Sequence, residues 1–291
     1  MSTGAGGPGR GGPTARLLLS GPDRRGLVAR VADFVWRHGG DITHADQHTD
    51  EQAGVFFQRV ELRLDGFELS REELFAEFSV LAAELGMSWR VRYSDEVRRL
   101  AVLVSGQAHC LYDLLARWRA GELPAEIVAV VSNRGDHAEA AGHFGVPFHE
   151  LPASKATHEA ELLELLASYD VELVVLARYM QILSPAVIEA YRDRVVNIHH
   201  SFLPAFAGGR AYAQAHARGV KLIGATAHYA TEELDEGPII AQDVARASHR
   251  DSVEDLARKG RDLETAVLAR AVHAHLTDRV LVYGKKTVVF D

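Results

Sequence analysis

LAVLVSGQAHCLYDLLARWRAGELPAEIVAVVS, residues 100–132, decides the fold. It reads as an apolar strand (LAVLVS), a helix (CLYDLLARWRAG) and a second apolar strand (EIVAVVS). Parallel strands need a crossover connection, and that crossover is usually a helix. Working downstream, a short helix through Phe144 is followed by a brief strand around PFHEL and a helix carrying ELLELLAS. VELVVLA, residues 171–177, is apolar without interruption, as a central strand buried on both faces must be. It leads into RYMQILSP and a helix beginning near Pro185. The alternation predicts a mostly parallel sheet covered by helices on both faces. At the far end, a long helix from Ser252 to about Leu276 carries Leu256, Leu263, Val267 and Leu268, and two short β runs, RVLVYG and KTVVF, finish the chain.

Upstream of this series lies a charged join, SDEVRR, which places a boundary near Asp95. Before it the pattern is strand (ARLLLS), turn (GPDRRG), and a helix with Leu27, Val31, Phe34 and Val35 on one face, stopped by Gly39 and Gly40. Two β-rich runs follow, DITHADQHT and VFFQRVEL, then a helix from Ser70 to Leu85 and a strand, SWRVRY. The order is βαββαβ over residues 15–95. Residues 1–14 are mostly Gly, Ser and Pro with no apolar anchor, and are expected to form a disordered tail. Their glycines do not make a phosphate loop, which needs a strand before it and a helix after it.

Composition narrows the function classes. A net charge of −8 with no basic stripe argues against nucleic acid or an anionic membrane as partner. The single cysteine, Cys110, excludes an internal disulfide framework and a Cys-rich zinc module, and suits a reducing compartment such as the cytoplasm. The first residues lack the apolar run of a signal peptide, and no later segment has the roughly 18 apolar residues of a membrane span.

The polar chemistry gathers in VVNIHHSFLPAFAGGRAYAQAHARGVKLIGATAHYATEELDEGPIIAQDV, residues 195–244. Asn197 and His199 alternate at the end of an expected strand, so they share a face while Ile198 takes the other. Asp235 follows in the LDEGP turn. Together they can activate water and cleave an acyl bond: Asp235 orients a His or takes a proton, His199 protonates a leaving group, and the Asn197 N–H binds an oxyanion. Ser201 is nearby but sits in no nucleophile elbow. Two other readings of these residues stay open. Asn-x-His can simply cap a loop, and His199, His200, His228 and Asp235 are zinc ligands by type, although they form no compact ligand motif.

NIHHSFLPAF, GVKLIGATAHY and LDEGPIIAQ together resemble the 10-formyltetrahydrofolate hydrolases, a branch of the folate-dependent formyltransferases, and the likeness runs from Leu17 to Phe290. The resemblance implies an N-terminal ACT (ferredoxin-like) domain over 15–95 and a Rossmann-like formyltransferase domain over 96–291. It implies that Asn197, His199 and Asp235 are the catalytic triad, with His200, Ser201, Thr226 and His228 lining the pocket. Arg178, Tyr179, Met180, Gln181, Ile182 and Leu183 become the pterin-binding segment; without the resemblance Met180, Ile182 and Leu183 read as core. The expected activity is hydrolysis of 10-formyltetrahydrofolate to tetrahydrofolate and formate, supplying formate for purine synthesis and balancing the one-carbon folate pool. No metal or redox cofactor is implied, because the leaving nitrogen is aniline-like and weakly basic.

Partners implied in the same way are the folate substrate, an amino-acid effector held near Gly26 and Gly39 to Asp41, and further copies of the chain in a homo-oligomer. Two departures from the family stand out: Gly106 where the hydrolases usually have Lys, and Ala211 where they have Pro. His109 and Cys110 keep the hydrolase pattern. Cys110 opens a helix, where a thiolate would be favoured, but packing is its expected role. VSGQAHCLYD lacks the glycine-rich loop with which a transferase cradles an acceptor phosphate, which favours water as the nucleophile. The alternatives are transfer of the formyl group to an amine, and a metal-dependent hydrolase.

Overall fold

A computed structural model describes residues 12–151, 158–205 and 211–291, so residues 1–11 of the expected tail lie outside the described residues. Two compact units are present: one ends at Glu96 and includes Phe290 and Asp291, the other is Val97–Val289.

The first unit is a four-stranded antiparallel sheet: β1 (Thr14–Pro22), β2 (Asp41–Asp50), β3 (Val55–Arg63) and β4 (Ser88–Tyr93), in spatial order β2-β3-β1-β4. β1 opens at Thr14, inside the stretch expected to be tail, where its Oγ1 donates to Glu61 and its N–H to Ser94 Oγ. Helices α1 (Leu27–Arg37) and α2 (Arg71–Leu85) pack on one face. Leu27, Val31 and Val35, each one turn apart, join Leu74, Phe78 and Leu81 over Leu17, Leu19, Val60 and Leu62 in a single core. Ser70 and Glu73 form a reciprocal capping box at the start of α2, and Gly86, left-handed at φ 65°, ends it.

In the second unit, seven strands lie in the order β11-β10-β9-β8-β5-β6-β7. They are β5 (Arg98–Val104), β6 (Ala125–Ser132), β7 (Phe148–Glu150), β8 (Leu173–Ala177), β9 (Val195–His199), β10 (Leu222–Tyr229) and β11 (Ile239–Arg246). β5 to β9 are parallel, as the alternation of strands and helices predicts. β10 and β11 run antiparallel at one edge. The helices are α3 (His109–Arg119), α4 (Ala138–His143), α5 (His158–Ser168), α6 (Pro185–Ala190), α7 (Ala211–Arg218) and α8 (Val253–Leu276). α3 and α8 cover one face, with Leu111, Leu114, Val267 and Leu268 against Val102, Val175, Val196 and Ile198. α5 and α6 cover the other, with Leu162, Leu166, Val187 and Ile188 against Leu103, Val174 and Val195. A hairpin of β12 (Val280–Tyr283) and β13 (Lys286–Val289) completes the unit. Among the described residues no helix is long and apolar enough to cross a membrane.

Candidate active site

Strands β5, β8 and β9 end at Val104, Ala177 and His199. Residues just beyond the carboxyl ends of parallel strands are where open α/β sheets bind ligands. A cavity of about 230 Å³ lies there, lined by Arg178 to Leu183, Asn197 to His200, His228 and Asp235, with Leu176, Ile188, Ala230, Thr231, Glu232 and Leu234 completing its wall.

Strand register builds the polar floor. In the antiparallel β9–β10 pair, His228 lies opposite Asn197 and Thr226 opposite His199. These four residues therefore share one face, while Val196, Ile198, Ala227 and Tyr229 enter the core on the other. His228 places its Nδ1 2.9 Å from the Tyr229 carbonyl, which fixes a proton there, so its Nε2 accepts from the Asn197 amide at 3.1 Å. Burial lowers the His228 pKa against the opposing pull of that carbonyl and of Asp235, and keeps the ring neutral.

Asp235 comes from the loop between β10 and β11. Its backbone is left-handed at φ 59°, a conformation Asp tolerates better than most side chains. Two residues on, a Cβ at Gly237 would stand 1.7 Å from the Tyr229 carbonyl oxygen, so only glycine lets the loop fold back against β10. The turn thereby brings Asp235 Oδ1 3.2 Å from His199 Nδ1 and 3.8 Å from His228 Nε2. The hydrogen bond from His199, opposed by burial, holds the Asp235 carboxyl below the usual carboxylate range. The remaining ring nitrogen, His199 Nε2, is buried and has no hydrogen-bond partner among the described residues. An orphaned buried nitrogen in a cavity wall calls for a ligand or water.

His200 lines the same cavity. Burial, followed by the charge of Arg178, pushes its pKa down to about 4, so it is neutral near pH 7.

The apolar half of the cavity comes from the segment after β8. Met180 and Ile182 are 65% and 74% exposed, and Leu234, which lines the same cavity, is 64% exposed. Large apolar side chains left open at the mouth of a cavity are a binding surface for a flat, partly apolar ligand. The segment is pinned from behind: Met180 N–H donates to Ser105 Oγ and Ser184 N–H to Glu159.

Two expected site residues, Thr226 and Ser201, are placed differently from the sequence reading, and a third, Tyr179, lines the cavity with its hydroxyl turned away. Thr226 is fully buried; its hydroxyl donates to the Ser201 carbonyl and accepts from Leu203 N–H and Gln242 Nε2. Ser201 donates to the Ala205 carbonyl. Both pin the turn after β9 and neither lines the cavity, because their polar atoms are consumed within that turn. Tyr179 contributes to the wall, but its ring is buried and its hydroxyl pairs with His158 at 2.8 Å, turning it into the core. Cys110 is a buried thiol, its pKa raised by burial and then by Glu264, so the helix start does not make it a thiolate.

The zinc reading meets a different geometry, since both His228 nitrogens and His199 Nδ1 already have partners. Gly106 faces Arg134, whose Nη1 would lie 3.7 Å from an added Cβ. Sequence reasoning missed Glu264, a carboxylate 1% exposed on the buried face of α8, hydrogen-bonded to His109 and Tyr212 and facing Arg178. Its signal was an acidic residue amid the stripe of Leu256, Leu263, Val267 and Leu268.

Comparison with known proteins identifies the family. Residues 98–272 match the formyl transferase family model. The chain is 55% identical over 280 residues to formyltetrahydrofolate deformylase of Synechocystis, covering 95% of this chain and 98% of that protein. It is 47% identical to the Bacillus subtilis deformylase, covering 95% and 93%. A crystal structure of formyltetrahydrofolate deformylase from Pseudomonas syringae pv. tomato superposes with a TM-score of 0.95 at 47% identity, covering 97% of this chain and 96% of that one. Glycinamide ribonucleotide transformylase 1 from Symbiobacterium toebii superposes with a TM-score of 0.64 at 35% identity, covering 67% and 95%. The chain thus belongs to the formyl transferase family, and within it to the formyltetrahydrofolate deformylases.

Proposed function

We propose that this chain hydrolyses 10-formyltetrahydrofolate to tetrahydrofolate and formate in the cavity at the ends of β8 and β9. The observation that carries the reading is the orphaned His199 Nε2 in the cavity that Asn197 also lines, backed by Asp235 at the other ring nitrogen. The pterin occupies the segment from Arg178 to Leu183, with Met180, Ile182 and Leu234 closing over its apolar faces. That places the formyl carbon near Asn197.

With Nδ1–H given to Asp235, His199 Nε2 offers a lone pair to water. Water adds to the formyl carbon, its proton passes to Nε2, and the carbonyl π pair moves to oxygen. One Asn197 amide hydrogen is held by His228; the second is free to donate to that oxyanion. Collapse of the tetrahedral species breaks the C–N10 bond, and the imidazolium returns its proton to N10. Tetrahydrofolate leaves, and formic acid ionises to formate. Asp235 stabilises the imidazolium throughout, and the scheme draws only on water and these side chains. In this reading the reaction supplies formate for purine synthesis and balances the one-carbon folate pool. The first unit, with its βαββαβ order, serves as an ACT domain that holds an amino-acid effector and pairs copies of the chain.

Incubating the purified protein with 10-formyltetrahydrofolate alone tests the reading. Formate release without any acceptor is expected; release only after adding an amine would make the chain a transferase, and release only with added zinc would make it a metal-dependent hydrolase.

A further inference from the structure

We propose that Glu264 is a positioning residue for the folate cavity: through Arg178 it fixes the start of the 178–183 segment, and so sets substrate affinity rather than the rate of the chemical step. The inference rests on the reading of that segment as the seat of the pterin.

Arg178 is the first residue after β8, and its backbone is left-handed at φ 62°. A side chain with a Cβ disfavours that conformation, so it persists where surrounding contacts hold it. Two contacts do so. Ser105 N–H donates to the Arg178 carbonyl at 3.3 Å, and on the side chain the buried Arg178 Nε forms an ion pair with Glu264 Oε2 at 3.5 Å that is not a hydrogen bond. Glu264 is itself held rigidly. His109 Nε2 donates to Oε2 at 2.8 Å, and the Tyr212 hydroxyl donates to Oε1 at 2.7 Å. Tyr212 reaches it over Gly260, where a Cβ would stand 2.0 Å from the hydroxyl oxygen. Burial raises the Glu264 pKa, but His109, Arg178 and Tyr212 together outweigh it and keep the carboxyl ionised. A buried carboxylate with two donors and a facing guanidinium is a rigid anchor.

What the anchor holds is a partition. Arg178 and His200 line the folate cavity and also a second cavity, of about 240 Å³, bounded by Tyr212, Ala211, Ala257 and Arg261. Glu264 touches neither Asn197, His199 nor Asp235 in any contact described above. Its hydrogen bonds and ion pair run to His109, Tyr212 and Arg178, so its direct hold is on the start of the 178–183 segment.

His109, Cys110 and Glu264 also bring one ligand atom each within 4.8 Å of one another. A metal ion there would face the Arg178 guanidinium across the same carboxylate, and the Cys110 thiol is held protonated, so the cluster is read as an ion-pair network.

The test measures kcat, KM for 10-formyltetrahydrofolate, and the Kd of tetrahydrofolate by calorimetry in the full chain. Glu264→Gln keeps the shape and removes the charge that faces Arg178. KM and Kd should rise about tenfold while kcat stays within about twofold. In an Arg178→Gly background, where the left-handed backbone is unstrained and there is no guanidinium to hold, Glu264→Gln should add less than about twofold to KM. An unchanged KM and Kd overturns the proposal, as does a fall in kcat at constant KM or a full effect that persists beside Arg178→Gly. Should Glu264→Gln fail to fold, Glu264→Asp keeps the charge but withdraws it by one methylene. In folded Glu264→Asp a raised KM at constant kcat supports the proposal, and an unchanged KM overturns it. Tetrahydrofolate binding is read without turnover, so a wild type that binds it but releases no formate sinks the proposed reaction and leaves this test standing. A wild type that does not bind it overturns the seat and this inference together.

Discussion

The Asn197 side-chain amide donates to Nε2 of His228 at 3.1 Å, and the other nitrogen of that ring is bound to the Tyr229 carbonyl at 2.9 Å. His228 thus has one tautomer available, and that tautomer sets which way the Asn197 amide points. His228→Ala is expected to lower kcat roughly 10- to 100-fold by freeing the amide to rotate. Because His228 acts through Asn197, its effect should largely vanish in an Asn197→Ala background; full additivity in the double-mutant cycle would separate the two residues.

Asn197→Ala removes the oxyanion donor itself, and kcat should fall by about 10²- to 10³-fold with KM little changed. Asp235→Asn, which keeps the shape but loses the charge facing His199 Nδ1, should be comparably severe. Steady-state formate release by folded variants checks both, and a wild-type rate in either removes that residue from the mechanism.

Replacing Met180 or Ile182 by Ala removes apolar surface that a bound ligand would cover. Each substitution should weaken substrate binding by about 1 to 2 kcal/mol, roughly a tenfold rise in KM, with kcat held. Because both side chains are largely exposed, Tm should barely move. A fall in Tm with constant KM would return them to an ordinary structural role.

His200 offers a pH test with a definite sign. Its folded pKa is lowered from 6.5 to about 4, so the folded state resists a proton that the unfolded state accepts. Its contribution to stability is therefore lost as pH falls from 6.5 towards 4. In His200→Gln the acid-induced drop in Tm over that window should be smaller than in wild type; an identical drop would remove His200 as its source.

Legibility from sequence follows the range of the physics. Asn197 and His199 could be paired because a strand alternates its faces, and the central strands could be found because burial on both sides leaves an unbroken apolar run. The antiparallel course of β10 and β11 could not be read, since the apolar pattern of a strand carries no direction. The resemblance puts Thr226 and Ser201 in the pocket, but the Ser201 hydroxyl closes a local bond to Ala205 and the Thr226 hydroxyl ties β10 to the turn after β9, partners that appear only in the fold. Glu264 stays hidden because its donors, His109 and Tyr212, come from still more distant parts of the chain.

Gly237→Ala would drive a methyl group into the Tyr229 carbonyl oxygen. The loop from Ala230 to Pro238 would have to swing away from β10, carrying Asp235 from His199. Activity should fall at least as far as in Asp235→Asn, with a lower Tm as well, whereas Asp235→Asn should lose activity while retaining the wild-type fold. Thermal melts run beside the formate assay distinguish the two.

The pairing of β9 with β10 sets His228 against Asn197 and Thr226 against His199. Sliding one strand past the other by a single residue would turn the His228 ring into the helix-covered core and bring Ala227 or Tyr229 to the cavity. Folding correctly and assembling the reacting groups are then one event: a misaligned edge cannot survive as an intact but inactive enzyme, because the slip that disarms the site also forces an imidazole among aliphatic side chains.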